Sequence, residues 1–144
     1  MVAIKIQKIK DNAVIPSYAH EGDAGVDLYS TEEYNLKPGE RTLVSTGIKI
    51  AIPIGYEAQI RPKSGLALKN GLSIVNTPGT IDAGYRGEIG IILINHSQEE
   101  QKIEKGKKIA QMVIKKVEQA EFEEVAGLDE TSRNEGGFGS TGLH

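Results

Sequence analysis

Cysteine is absent from the 144 residues, so neither a disulfide framework nor a thiolate metal site can hold this chain together. Aromatic residues make up only 5% of the sequence against 38% hydrophobic, so a core must be built from isoleucine, valine, leucine and alanine. No apolar run approaches the roughly twenty residues of a membrane span. The N-terminal MVAIKIQKIK alternates charged with apolar residues and lacks the continuous apolar centre of a signal peptide. Strong charge of one sign is missing as well. A formal net charge of −3 does not advertise nucleic-acid binding. These absences set the expectation of a soluble, cytoplasmic protein that binds neither a membrane nor nucleic acid.

What is present suits one domain with many short strands. The length is enough to bury a core, and 17 glycines outnumber 5 prolines. Val2, Ile4 and Ile6 alternate with polar residues, as in a half-buried strand. Val26 to Tyr29 places Asp27 between apolar neighbours, and Tyr34–Leu36 runs into the turn signal Lys37-Pro38-Gly39. A long alternation through Val44, Thr46, Ile48, Ile50 and Ile52 ends at Pro53 and Gly55. Tyr56, Ala58 and Ile60 face opposite to Glu57, Gln59 and Arg61. The loop RPKSGLALKNG (61–71) follows, closed by the turn dipeptide Asn70-Gly71. Between the apolar runs Leu72–Val75 and Ile89–Ile94, residues 76–88 read as the widened end of a β-hairpin. Residues 98–120 carry both helical and alternating patterns; a lone helix fits poorly among regular strands, which favours strand. The expected fold is all-β, a sandwich or barrel.

Chemistry concentrates in a few places. In NTPGTIDAGYRGE (76–88) a carboxylate, Asp82, and a phenol ring, Tyr85, stand three positions apart across a bend. They are either turn furniture or the wall of a pocket. Arg61 with Lys63, Ser64 and Gly65 offers cations, a hydroxyl and exposed N–H groups in one tight segment. Gln111 is an amide donor close to Lys107 and Lys108. At the C-terminus, Arg133-Asn134-Glu135 precedes Gly136, Gly137, Phe138, Gly139, Ser140, Thr141 and Gly142. By composition this end is a mobile arm, yet it holds one of only two phenylalanines. Its GSTG string lacks the lysine and following helix of a nucleoside-triphosphate loop. Three donor clusters with two carboxylates, Asp27 and Asp82, suit a polyphosphate accompanied by a divalent ion.

The strings AGVDL (24–28), RPKSGLA (61–67), NTPGTIDAGYRGE (76–88), GKKIAQ (106–111) and RNEGGFGSTG (133–142) resemble, in order, the five motifs of the trimeric dUTP pyrophosphatases. The resemblance implies a distorted jelly roll over residues 1–128, an arm over 129–144 that closes on the site, and a homotrimer with sites shared between chains. It implies Mg²⁺-dependent hydrolysis of dUTP to dUMP and pyrophosphate. On that resemblance Asp82 is the general base, Tyr85 lies under the deoxyribose, and Asn76 with the backbone at Gly79 and Ile81 reads uracil. Asp27 holds Mg²⁺ through water. Lys63, Ser64 and Gln111 contact phosphates, and Arg61 and Gly65 are further substrate-binding residues. Phe138 stacks on the base while Arg133, Gly139, Ser140 and Thr141 close over the outer phosphates. Lys63 and Lys108 stand where the family often has arginine. A dCTP deaminase, a non-catalytic nucleotide sensor and a structural or sugar-binding jelly roll are the alternatives on the same scaffold.

Overall fold

The computed structural model describes residues 1–142. Among them the alternating stretches become strands: β1 (Lys5–Lys8), β2 (Gly25–Tyr29), β3 (Tyr34–Leu36), β4 (Arg41–Ala51) and β5 (Tyr56–Arg61). A short helix, α1 (Ser64–Asn70), leads into β6 (Leu72–Ile74), β7 (Gly79–Ile81), β8 (Glu88–Asn95), β9 (Gln101–Ile103) and β10 (Lys108–Lys116). Two antiparallel sheets form, in the orders β1-β4-β8-β6 and β2-β10-β5-β7, with β3 and β9 paired separately. This is the expected all-β, jelly-roll-like architecture.

The core lies between the sheets and is aliphatic. Leu28, Leu36, Val44, Ile48, Leu72, Ile89, Ile91, Leu93, Ile103 and Ile109 are almost wholly buried. Among the described residues no aromatic side chain is buried with them, though Tyr34 and Tyr56 pack against the cluster while partly exposed. Each such side chain contributes roughly 1.5–3 kcal/mol on burial. In β8 the period of two is complete: Ile89, Ile91, Leu93 and Asn95 point inward while their neighbours are half-exposed. Asn95, the polar member, is satisfied by the Leu36 and Glu99 carbonyls, which accept from its amide at 2.9 and 2.8 Å.

Three expectations need correction. The stretch 61–71 is not a plain loop, because Leu66, Ala67, Leu68 and Lys69 favour helix and form α1. Gly71, at φ 65°, donates to the Ala67 and Leu66 carbonyls, so Asn70-Gly71 is a helix end rather than a hairpin turn. Residues 76–88 are not a simple hairpin end either. β6 and β8 do pair, with Ile74 opposite Leu93, but Gly79–Ile81 departs to the other sheet and pairs with β5, placing Gly79 opposite Ile60. The alternation in β4 is also interrupted: its register against β8 shifts between Ser45 and Lys49, around Gly47 at φ 69°. A Cβ at Gly47 would come within 2.9 Å of Ala13 and Thr31, so only glycine fits this bulge. The ambiguous stretch after residue 98 is strand, with β9 and β10 turning at Gly106.

Candidate active site

Three of the separated strings meet on one line across a sheet. Gln111 in β10 lies directly opposite Asp27 in β2 on one side and Arg61 in β5 on the other. Directly opposed residues share a face, so strand pairing alone gathers a carboxylate, an amide and a guanidinium. Gly25 keeps the line open, since a Cβ there would meet Gln111 Oε1 at 3.0 Å. Gln111 donates through Nε2 to the Pro62 carbonyl at 2.9 Å, which ties β10 to the segment entering α1. Arg61 is held along its own strand, donating from Nη2 to Gln59 Oε1 at 2.6 Å.

Asp27, Lys63 and Gln111 line a recess of about 300 Å³ with Ala19, Asp23, Ala24 and Gly25. Two ammonium groups converge on the Asp27 carboxylate there. Lys63 pairs with Oδ1, and Lys108 approaches Oδ2 at 3.0 Å. Burial pushes the Asp27 carboxyl up, but the hydrogen bonds from Lys63 and Lys108 outweigh it and hold the group below the usual carboxylate range. The Lys108 ammonium is raised in turn by its bond to Asp27. Ser64 and Gly65 open α1 beside Lys63, so their backbone N–H groups have no partner within the helix.

The second half of the site forms at the far edge of the same sheet. Asn76, Gly79 and Ile81 line a narrow cleft of about 40 Å³ against Ile60 and Gly90. Gly79 is required there: a Cβ would meet Asn76 Nδ2 at 3.3 Å and Ile60 Cβ at 3.4 Å. After β7 the chain turns, with Tyr85 N donating to the Asp82 carbonyl at 3.1 Å. Asp82 is exposed. Beside it opens a separate recess of about 450 Å³, lined by Tyr56, Glu57, Thr80, Ala83 and Val117 among others. Tyr85 folds back over Gly87 and donates from Oη to the Glu88 carbonyl at 2.9 Å. A Cβ at Gly87 would sit 2.3 Å from that hydroxyl, so the close approach depends on glycine.

Gln119 lines the recess beside Asp82, but no residue from Asp129 to Gly142 lines any of these three recesses. From Glu118 to Gly142 no strand or helix forms, and almost every residue is exposed. Local turns are present: Arg133 Nε donates to the Gly136 carbonyl at 2.7 Å, and Ser140 N to the Gly137 carbonyl at 3.1 Å. Phe138 is fully exposed at φ 49°, a left-handed conformation that is unfavourable for a bulky side chain. Gly139, Ser140 and Thr141 are exposed beside it. Leu143 and His144, the last residues of the expected arm, lie outside the described residues.

The structure thus brings Asp27, Arg61, Lys63 and Gln111 together, and separately Asn76, Gly79, Ile81, Asp82 and Tyr85. It does not bring Arg133, Phe138, Ser140 or Thr141 to either group within the chain. Sequence reasoning missed Ser45, Lys10 and the Glu88 side chain, which stand behind the Tyr85 turn. No spacing signal could have found them, because their contacts span 35 and 43 residues.

The dUTPase family model matches residues 11–142. A deoxyuridine 5'-triphosphate nucleotidohydrolase of Clostridium novyi (strain NT) is 63% identical over 138 residues, which cover 96% of this chain and 97% of that relative. Among solved structures, the Staphylococcus bacteriophage 80alpha dUTPase with dUPNHPP is similar at a TM-score of 0.91 and 30% identity, covering 98% of this chain and 99% of that one. A mutant dUTPase from phage phi11 of S. aureus, described with a coordinated structural Mg(II) ion, is similar at a TM-score of 0.82 and 27% identity. It covers 89% of this chain and 99% of its own. With a family match spanning nearly the whole chain and motif residues gathered by strand register, this chain belongs to the dUTPase family.

Proposed function

We propose that the protein hydrolyses dUTP to dUMP and pyrophosphate by water attack at the α-phosphorus, limiting uracil in DNA and supplying dUMP for thymidylate synthesis. The observation that carries this reading is the line Asp27–Gln111–Arg61, with Lys63 and Lys108 at its end. A tetra-anionic substrate needs distributed donors, and this line supplies three cations and an amide on one sheet face. In this reading Lys63, Gln111, Ser64 and Gly65 hold the phosphates, and Arg61 steadies the floor.

Asp82 takes a proton from the attacking water. The new bond forms between that oxygen and the α-phosphorus as the bond to the bridging oxygen breaks, and pyrophosphate leaves with the electron pair. A positioned base of this kind contributes about 10²–10⁴-fold. Asn76 and the Gly79–Ile81 backbone read the uracil edge, and the Tyr85 ring lies under the deoxyribose and excludes a 2′-hydroxyl.

The donor set fits Mg²⁺. Among the described residues no cluster of three or more His, Asp or Glu could enclose a bare cation. No more than two carboxylates, Asp27 and Asp23, line the phosphate recess, which matches the habit of Mg²⁺ to keep its waters and bind mainly through substrate phosphates. Asp27 would hold it through water, and the ion would neutralise charge developing on the phosphates.

Residues 1–128 serve as the core domain, and 129–144 as an arm that closes over the site with Phe138 on the base. Arg133, Gly139, Ser140 and Thr141 then reach the outer phosphates. Because the two halves and the arm stand apart within one chain, the complete site is assembled between chains of a homotrimer. The soluble protein works in the cytoplasm.

The test is a turnover panel with dUTP, UTP, dCTP and dTTP, reading pyrophosphate and ammonia. Pyrophosphate release from dUTP alone is the expected result. Ammonia from dCTP would replace this reading with deamination, and absence of any turnover would leave a nucleotide-binding protein.

A further inference from the structure

The turn that carries Tyr85 is fastened from behind by a chain of polar side chains. Glu88 has two roles at once. Its carbonyl accepts from Tyr85 Oη at 2.9 Å, and its carboxylate accepts from Ser45 Oγ at 3.0 and 2.9 Å. Ser45 Oγ accepts in turn from Lys10 Nζ at 2.8 Å, and Lys10 also donates to Glu32 Oε1 at 2.7 Å. Lys10 and the Thr31 hydroxyl, which approaches Ser45 Oγ at 3.0 Å, therefore occupy the acceptor side of the serine hydroxyl and leave its single proton to Glu88. The serine itself is fixed. Its N–H donates to Tyr34 Oη at 3.0 Å, and its carbonyl accepts from Thr31 N at 2.9 Å.

This fastening sits where strand pairing is weakest. Ser45 pairs with Gly90 and Lys49 with Glu88, so β4 spends two extra residues in the bulge between these pairs. The ladder is interrupted beside Glu88, and the turn beyond is largely exposed, held by its own short bonds and by Ala83, which packs against the core. A side-chain network replaces the missing ladder at that point.

We propose that Ser45 is a positioning residue: clamped between Lys10 and Glu88, it fixes the far end of the Asp82–Tyr85 turn and so sets how closely Tyr85 meets the sugar. The inference rests on the proposed role of Tyr85 as the sugar platform. Ser45 touches no substrate in this account; it acts through Glu88 and the Tyr85 hydroxyl.

The experiment measures kcat and KM for dUTP and UTP, and amide hydrogen exchange over residues 82–90, in the full-length protein. Ser45→Ala removes the donor to Glu88, Ser45→Thr restores a hydroxyl on a strand-compatible side chain, and Lys10→Met removes the outer clamp. Tyr85→Ala reports whether that ring filters the sugar at all. In Ser45→Ala, amides 85–88 should exchange faster and KM for dUTP should rise. The dUTP-to-UTP ratio of kcat/KM should narrow about fivefold, the scale expected when a positioning contact slips by a fraction of an ångström. Lys10→Met should shift the ratio the same way by about twofold, and Ser45→Thr should return it to the parent value. A ratio unmoved in Ser45→Ala and Lys10→Met, while Tyr85→Ala narrows it, overturns the inference and leaves the network a purely structural brace. A ratio unmoved by Tyr85→Ala overturns the sugar reading itself and this inference with it.

Discussion

Replacing Asp27 with asparagine should tighten nucleotide binding in the absence of metal and weaken the response to metal. In the parent, the carboxylate is largely buried, at 18% exposure, and is paired with Lys63 and with Lys108 at 3.0 Å. A triphosphate entering this recess without a cation meets a negative charge and two ammonium groups already engaged. Two unit charges about 4 Å apart interact by about 1 kcal/mol in water and about 4 kcal/mol near a protein surface. The lower end applies here, because the Lys108 side chain is half exposed and screened by solvent. Relief of about 1 kcal/mol corresponds to about fivefold tighter binding. Calorimetric titration with a non-hydrolysable imido analogue of dUTP, in chelator and again in Mg²⁺, measures both effects. Asp27→Asn should bind about fivefold tighter than the parent in chelator and gain little when Mg²⁺ is added. Weaker binding in chelator would show that Asp27 does not oppose the phosphates, and an undiminished Mg²⁺ response would remove it from the metal site.

Gly87→Ala sets two effects against each other. A Cβ would press to 2.3 Å from Tyr85 Oη and displace it from the Glu88 carbonyl, costing about 1 kcal/mol, while the stiffer unfolded chain returns about 0.4–1 kcal/mol. The melting temperature should stay nearly constant while kcat/KM for dUTP falls about tenfold, and unchanged kinetics would refute the close-approach argument. The Lys10–Glu32 pair gives a pH signature. The hydrogen bond from Lys10 holds the Glu32 carboxyl below its usual range, so its stabilisation is present above about pH 4.3 and is lost as pH falls through the depressed value. Glu32→Gln should therefore melt lower than the parent at pH 7 and converge with it in acid; a gap that does not narrow as the pH falls contradicts the pairing. Co-refolding inactive Asp82→Asn with a truncation ending at Ser132 should restore part of the activity. Residues 129–144 can reach about 50 Å, enough to cross to a neighbouring chain. Mixed trimers confirmed by mass without rescue would place each site within one chain.

The strands were legible wherever side chains alternate over a buried face. Tyr56–Arg61 follows from period alone, and β6 and β8 from the β-branched residues of the apolar runs Leu72–Val75 and Ile89–Ile94. The aliphatic core followed from the shortage of aromatic residues. α1 was hidden because seven residues are too few to display a helical period, and its capping glycine mimics a hairpin turn. β7 was hidden because it begins on the glycine of a Pro-Gly pair, which reads as punctuation. The candidate site was legible in its motifs and not in its geometry. Nothing in the spacing of Asp27, Arg61 and Gln111 reveals that they share one register line. That Lys63 and Lys108 both settle on Asp27 is likewise a product of the fold. The contacts of Lys10, Ser45 and Glu88 arise only when a bulge in β4 brings distant segments together.

The central claim is that Asp82 activates the attacking water at a site built to hold dUTP. Asp82→Asn preserves the shape and hydrogen bonding of the side chain and removes only its basic oxygen. Single-turnover rates and analogue affinity, measured together on this variant, separate chemistry from binding. The account predicts analogue affinity within about twofold of the parent and a rate lower by at least about a hundredfold. A near-parental rate in Asp82→Asn would contradict it.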